Sequence, residues 1–126
     1  MCGIVAYKGH KNCYPILLDG LHKLEYRGYD SAGVACLAEN GKITVTKRSG
    51  KIKQLEDGLK KNNLIENCNG SGIAHTRWAT HGKPNQVNAH PHKDQSGNIV
   101  LVHNGIIENY DPIKKFLRSK KVKFKS

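Results

Sequence analysis

The dipeptide Asn40-Gly41 is the feature that most constrains the fold of this chain. Both residues tolerate positive φ, so Asn-Gly is the most typical connection of a tight β-hairpin. Small apolar residues fill the stretch 32–38 before it, and residues 42–47 after it alternate between polar and apolar. Such alternation is typical of an antiparallel strand with one face in the core and one in solvent. The sequence therefore predicts an antiparallel hairpin.

The other patterns add strands and helices to this hairpin. Short apolar runs predict strands over 3–7 and 73–79, a buried strand over 98–103 and the start of another at 122–124. Apolar residues at helical spacing predict helices over 13–25, 51–61 and 106–120, the last of which Pro112 could divide. In the third helix, the side chains expected to face inward are Ile107, Ile113, Phe116 and Leu117. Strands outnumber crossovers, which favours an α+β fold with a mixed or antiparallel sheet.

Three segments are predicted as connections, over 26–31, 67–72 and 80–97. The last is long for a compact domain and contains His81, His90 and His92. Long loops inside compact domains are usually functional. His90 and His92 flank a proline and have no clear third partner, so we do not expect them to bind a metal.

The chain has 126 residues and a formal net charge of +11, from 21 Lys and Arg against 10 Asp and Glu. This excess would suit a nucleic-acid-binding module. However, the basic residues are spread through every segment, and no aromatic side chains alternate with them as on base-stacking surfaces. A solvated lysine-rich surface is favoured, with no nucleic acid as partner, and the basic binding module stays as the alternative. No apolar run approaches the roughly 20 residues of a membrane helix, and no secretory pattern opens the chain, so a cytoplasmic protein is expected.

Four cysteines, Cys2, Cys13, Cys36 and Cys68, are scattered without a paired spacing. Their even number would allow disulfides, but without a secretory signal we expect free thiols. Because there is no CxxC pair, a structural zinc site is not expected either. The sequence thus predicts neither a metal nor a cofactor.

Cys2 directly follows the initiator methionine and is small enough for Met1 to be trimmed. Trimming would leave a thiol and a free α-amine on one residue, which is a nucleophile with its own base attached. Taken alone, Cys2 is more simply an ordinary residue at a frayed terminus.

Cys2 belongs to the first of four stretches that stand out in the sequence: MCGIV (1–5), LEYRGYDSAG (24–33), GIAHTRWATHG (72–82) and VHNGIIEN (102–109). Together they resemble the glutaminase domain of class II glutamine amidotransferases. The amino-acid sequences of the second and third stretches are most similar to those of the family branch that makes glucosamine 6-phosphate from fructose 6-phosphate. The resemblance implies an N-terminal-nucleophile hydrolase fold, a four-layer α/β/β/α sandwich of antiparallel sheets that this chain holds only in part.

The resemblance implies that Cys2 attacks the carboxamide of glutamine. The product would be a γ-glutamyl thioester and ammonia, and water would then release glutamate. Asn104 and Gly105 resemble the donors that stabilise the oxyanion. On the residues alone, Asn-Gly is more simply a turn.

Five further residues resemble substrate-side positions of the family. Arg77 is similar to the arginine that holds the α-carboxylate of glutamine, a role that suits its planar fork. Thr80 and His81 resemble residues that contact the same end of the substrate. Trp78 resembles a tryptophan that gates the ammonia exit, and Arg27 resembles an arginine that supports the terminus carrying the nucleophile. The plainer alternatives are a surface ion pair for Arg77, an exposed loop histidine for His81, a half-buried aromatic for Trp78 and loop packing for Arg27.

The resemblance also implies a larger protein. Residues 1–126 correspond to the N-terminal portion of a glutaminase domain, and a sugar-phosphate isomerase domain that binds fructose 6-phosphate would be absent. No residue matches the aspartate that holds the substrate's α-amino group, so little glutaminase activity is expected from this stretch alone. A homodimer is implied for the full-length enzyme, and unpaired sheet edges predict edge-paired or swapped oligomers of the fragment. Another class II amidotransferase is the remaining alternative.

Overall fold

A four-stranded antiparallel sheet organises the computed structural model, which describes residues 1–28, 30–64 and 68–126. Its strands are β1 (Gly3–Tyr7), β2 (Ser31–Ala38), β3 (Ile43–Ser49) and β4 (Gly70–Arg77), in the spatial order β1-β4-β2-β3. β2 and β3 form the predicted hairpin, and Gly41 in its turn has a φ of +81°. β4 begins earlier than predicted and includes residues 70–72. Residues 29 and 65–67, which touch two of the predicted connections, lie outside the described part of the chain.

Two helices, α1 (Cys13–Leu24) and α2 (Ile52–Lys61), pack on one face of the sheet as their apolar spacing predicts. The Asn12 side chain caps α1 by accepting a hydrogen bond from the Tyr14 N–H at 3.2 Å. The helices and β2 share one core of fully buried side chains, which includes Leu17, Leu21, Leu55, Leu59 and Val34. Each such side chain contributes about 1.5–3 kcal/mol by burial, so this core holds the helices on the sheet.

The opposite face of the sheet carries the polar side chains of the site. Side chains alternate between the two faces of a strand. On β4, Ala74 and Thr76 therefore point toward the helices, and His75 and Arg77 point to the other face. Gly3 pairs with Thr76 across β1 and β4, so Cys2 lies at the sheet end where β4 finishes.

The long loop over residues 80–97 crosses this second face. The half-buried Lys47 side chain on β3 donates to the Ala89 carbonyl at 2.8 Å and to the Val87 carbonyl at 3.3 Å. A Cβ at Gly33 would collide with the His90 carbonyl, so this glycine lets the loop approach the sheet. The loop also contains β5 (His92–Lys93), which pairs with β6 (Val100–Leu101).

The C-terminal part of the chain departs from the predictions. The expected buried strand over 98–103 is reduced to the two residues of β6, with Leu101 at 51% exposure, and no strand forms at 122–124. The third helix, α3 (Tyr110–Ser119), starts with Pro112 in its first turn and is not divided. The apolar side chains predicted to face inward from this region are mostly exposed, namely Ile107, Ile113 and Phe116, while Leu117 is partly buried. Helical spacing identifies an amphipathic helix, but it does not show what covers the apolar side.

The cysteines also correct a prediction. Cys36 and Cys68 form a disulfide with their Cα atoms 6.4 Å apart, so only Cys2 and Cys13 are free thiols. The sheet brings the two together across a separation of 32 residues, which no local spacing could reveal. Among the described residues, no helix is both long and apolar enough to cross a membrane.

Candidate active site

The candidate nucleophile lies where the first residues of the chain meet the turn after β4. The Trp78 backbone N–H donates to the Cys2 sulfur at 3.3 Å, and the thiol in turn lies 3.6 Å from the Trp78 carbonyl. The Thr76 hydroxyl accepts from the Gly3 N–H at 3.1 Å and ties the start of β1 to β4. Cys2 is partly exposed, so the thiol is both positioned and accessible.

Two residues of the second motif shape the backbone that holds the Cys2 sulfur. The Asp30 carboxylate accepts from the Ala79 N–H, and the Asp30 N–H donates to the Arg77 carbonyl at 3.1 Å. A Cβ on Gly28 would lie 2.8 Å from the Arg77 carbonyl carbon and 2.9 Å from the Trp78 nitrogen. Gly28 has an extended φ of −178°, so the demand for glycine here is steric.

Replacing Gly28 by alanine is therefore expected to push the Trp78 N–H away from Cys2. Displacements of about 1 Å at a reacting group can cost about 100-fold in rate, so the G28A variant should react with a thiol-directed glutamine analogue roughly 10- to 100-fold more slowly. The rate is measured by mass spectrometry. G58A is the matched control, because the nearest atoms to a Cβ there belong to the flexible end of Arg48. Equal rates for G28A and the unmodified chain would contradict this account of Gly28.

Asn104 lies beside the nucleophile and is held there by a buried histidine. Its side-chain amide N–H donates to the Cys2 carbonyl at 3.2 Å, and its amide oxygen lies 2.7 Å from His75 Nε2. An amide oxygen can only accept, so Nε2 of His75 carries the hydrogen. This bond orients the Asn104 amide nitrogen toward Cys2. Gly105 follows with a φ of +144°, a conformation that favours glycine.

His75 belongs to a row of three histidine rings under the site. Its ring centroid lies 4.4 Å from that of His90, which lies 4.4 Å from that of His92. Burial lowers the pKa of all three. For His90 the pKa falls to about 3, because burial acts together with repulsion from nearby basic groups, which include Arg77 and Lys47. The row is thus neutral near pH 7, and His75 keeps the tautomer that holds Asn104.

The depressed pKa of His90 predicts loss of stability in acid. In the unfolded chain His90 binds a proton below its ordinary pKa of 6.5, whereas in the folded chain it stays neutral down to about pH 3. Between these two pH values unfolding therefore takes up a proton, and the free energy of unfolding falls as the pH falls. In H90Q this source of proton uptake, up to one proton, is expected to disappear. Denaturant unfolding at several pH values between 6.5 and 3 measures the change. If the free energy of unfolding of H90Q depended on pH as steeply as that of the unmodified chain, the prediction would be wrong. H10Q, a substitution at an exposed histidine, is the control.

Arg77 is buried, with only 7% of its surface exposed, so it is not a surface ion-pair arginine. Its guanidinium donates to the Lys83 carbonyl at 3.0 Å and to the His81 carbonyl at 2.5 Å. Two of its five N–H groups thus organise the loop after β4.

The remaining predicted residues lie around this centre. Trp78 is 44% exposed, and Thr80 and His81 are exposed on the loop that Arg77 braces. The His81 ring lies edge-on to that of Tyr110, with centroids 6.0 Å apart. Arg27 ends a short 3₁₀-helix (Glu25–Arg27) and contacts the Met1 sulfur at 3.8 Å, so it does lie against the chain terminus.

Four residues of the site were not singled out from the sequence: Gly28, Asp30, His75 and Thr76. All four lie inside two of the motifs, so the motifs themselves carried the signal. His75 and Thr76 are polar residues in the buried part of β4, and buried polar residues need partners. That rule could have identified them.

The comparisons with known proteins point to one family. The chain is 55% identical over its full length to the glutamine–fructose-6-phosphate aminotransferase (isomerizing) of Clostridium acetobutylicum and covers 20% of that protein. It is 52% identical to the enzyme of the same name from Bacteroides thetaiotaomicron and 54% identical to that from Aquifex aeolicus, again over the full chain and over 20% and 21% of those proteins. No protein-family model matches the chain.

Two solved structures share the fold. An allosteric regulatory enzyme of purine biosynthesis superposes with a TM-score of 0.78 and 28% identity, over 98% of this chain and 26% of that one. A glutamine phosphoribosylpyrophosphate amidotransferase from B. subtilis, complexed with ADP and GMP, gives a TM-score of 0.74 and 26% identity over the same shares.

The fold is therefore that of the N-terminal-nucleophile glutamine amidotransferases, an α+β sandwich of antiparallel sheets that is partly present here. This confirms the predicted fold class. Within that class, the chain belongs to the glutamine–fructose-6-phosphate aminotransferase family. It spans about a fifth of the length of the curated relatives it matches.

Proposed function

We propose that this chain is the glutaminase portion of a glutamine–fructose-6-phosphate aminotransferase and that Cys2 is its nucleophile. The observation that carries the proposal is the convergence of three groups at one point: the Cys2 thiol, the Trp78 N–H at 3.3 Å and the Asn104 amide. A thiol beside preorganised N–H donors is the arrangement that acyl transfer through a tetrahedral intermediate requires.

The first half of the reaction forms a carbon–sulfur bond. The Cys2 sulfur attacks the carboxamide carbon of glutamine as the thiol proton passes to the α-amine, directly or through one water. The negative charge on the carbonyl oxygen is stabilised by the Asn104 side chain and the Gly105 N–H. Collapse of the intermediate breaks the C–N bond, and the proton on the amine goes to the departing ammonia. Water then cleaves the γ-glutamyl thioester to glutamate and restores the thiol.

The loop after β4 supplies the substrate side. Arg77 would use its remaining N–H groups for the α-carboxylate of glutamine, with Thr80 and His81 beside it. Trp78 would border the route by which ammonia leaves, and Arg27 would support the terminus. No residue of the chain is assigned to the substrate's α-amino group, so we expect slow labelling by substrate analogues rather than sustained hydrolysis.

The state of Met1 provides the test. While Met1 is attached, the nitrogen of Cys2 is a peptide amide and cannot act as a base. General-base assistance contributes about 10²- to 10⁴-fold, so removal of Met1 by a methionine aminopeptidase should speed modification of Cys2 by a glutamine-derived chloromethyl ketone by about that factor. Mass spectrometry measures both forms, and excess glutamine should protect Cys2. Equal rates with and without Met1 would refute the role of the α-amine.

The activity of the whole protein is a further part of the proposal. Ammonia would be transferred to fructose 6-phosphate bound by a separate isomerase domain, in a cytoplasmic homodimer. The relatives at 52–55% identity support fructose 6-phosphate as acceptor, and they favour it over the phosphoribosylpyrophosphate named for the B. subtilis structure, which is 26% identical.

A further inference from the structure

Three of the four cysteines meet inside the core, although they come from distant parts of the sequence. Cys13 is the first residue of α1, Cys36 lies on β2, and Cys68 lies two residues before the start of β4. Their sulfur atoms all lie within 4.8 Å of one another, and all three residues are buried. Neither the proposed reaction nor the known motifs use this group.

We propose that Cys13, Cys36 and Cys68 form a thiolate site for a thiophilic divalent cation of the Zn²⁺ type when the Cys36–Cys68 disulfide is reduced. Zinc–sulfur bonds are about 2.3 Å long, which places the sulfurs of one zinc ion about 4 Å apart. The Cys13 and Cys36 sulfurs are 3.1 Å apart, so a metal ion would need them to separate by only about 1 Å. Soft thiolate ligands select zinc and similar metals over oxygen-seeking cations.

The backbone around the three sulfurs is fixed from several sides. The Cys13 N–H donates to the Cys68 carbonyl at 2.8 Å, and Asn12 and Asn69 form a β-bridge next to it. A Cβ on Gly72 would lie 2.9 Å from the Cys13 sulfur, so glycine at this position leaves the room that the sulfur occupies. The site would therefore be largely preformed and would join α1 to the sheet.

One electrostatic contribution, the dipole of α1, favours a metal-bound thiolate at Cys13. It stands at the N-terminus of a helix of 12 residues, where the aligned peptide dipoles stabilise negative charge. Three thiolates and one divalent cation carry a net charge of −1, which is smaller in magnitude than the net charge with a monovalent cation. The smaller charge lowers the free-energy cost of burying the site. Three protein ligands leave a fourth tetrahedral position for a water molecule or a small thiol.

The chemistry balances in two steps. Two molecules of a low-molecular-weight thiol reduce the Cys36–Cys68 disulfide and leave as their own disulfide. The cation then binds the three cysteines and displaces their three protons. This site is distinct from the candidate active site, because Gly72 pairs with Tyr7 at the far end of β1, about 13 Å along the strand from Gly3.

The test uses Co²⁺ as the probe on the whole 126-residue chain after reduction by a phosphine. We expect one equivalent of Co²⁺ to produce a sulfur-to-cobalt charge-transfer band that one equivalent of Zn²⁺ removes. C13A, C36A and C68A should each weaken binding at least about 10-fold, and C2A should leave it unchanged. Circular dichroism identifies any variant that fails to fold, in which case the serine variant at the same position replaces it.

A second measurement needs no variant. Zn²⁺ should raise the melting temperature of the reduced chain and leave that of the oxidised chain unchanged, because only the reduced chain offers three thiols. The proposal is overturned if the reduced chain gives no charge-transfer band, if C13A binds as tightly as the unmodified chain, or if C2A abolishes binding. None of these outcomes bears on glutamine hydrolysis, which is measured at Cys2.

Discussion

Substitution of Cys2 by alanine is expected to abolish all reaction with glutamine and its electrophilic analogues. The proposed thioester forms on this sulfur. Loss of a catalytic nucleophile typically lowers turnover by about 10⁴-fold or more. In C2A, a glutamine-derived chloromethyl ketone should therefore add no mass to the chain, whereas the Met1-free unmodified chain should gain one adduct on Cys2.

Cys13 is the internal control for this experiment, since it is the other free thiol. It is fully buried, and burial raises the pKa of its thiol to about 11, so it stays protonated and unreactive at neutral pH. Peptide mapping should place the adduct on Cys2 and leave Cys13 unlabelled. An adduct on Cys13 in the folded chain, or labelling of C2A at the rate of the unmodified chain, would contradict the assignment of Cys2.

The structure follows the sequence predictions more closely in the N-terminal part of the chain than in the C-terminal part. The hairpin at Asn40-Gly41 and the helices that became α1 and α2 were found because each has local signals and a face buried within the same chain. Residues 98–124 have equally clear apolar patterns, but Leu101 and Phe116 are exposed here. Periodicity reports which side of an element is apolar, and burial depends on what packs against it.

Contacts between distant residues set the other limit of prediction. The motifs made Cys2, Arg77 and Asn104 candidate site residues, but no spacing rule could show that His75 binds Asn104 or that Arg77 braces the loop at Lys83. These contacts depend on the paths that the chain takes after β4 and after β6. The same limit explains why the disulfide and the three-cysteine cluster were missed.

Substitution of Asn104 by alanine has the second largest expected effect. Its amide would donate to the oxyanion, and removing one such donor typically slows the acyl-transfer step by about 100- to 1,000-fold. N104A should therefore react with the chloromethyl ketone about that much more slowly than the unmodified chain, because the carbonyl of this reagent lies where the carboxamide of glutamine would lie. Stopped reactions analysed by mass spectrometry give the rate.

A second variant separates the oxyanion role from a structural one. H75Q keeps a side-chain N–H that can reach the amide oxygen of Asn104, whereas H75A removes the support and lets the amide turn away. If Asn104 acts as an oriented donor, H75A should lose part of the rate that N104A loses, H75Q should recover some of it, and the double variant H75A/N104A should be no slower than N104A alone. N40A, which removes an asparagine from the distant hairpin, should keep the full rate. Additive losses in the double variant would mean that His75 acts independently of Asn104, and an unchanged rate in N104A would remove Asn104 from the oxyanion site.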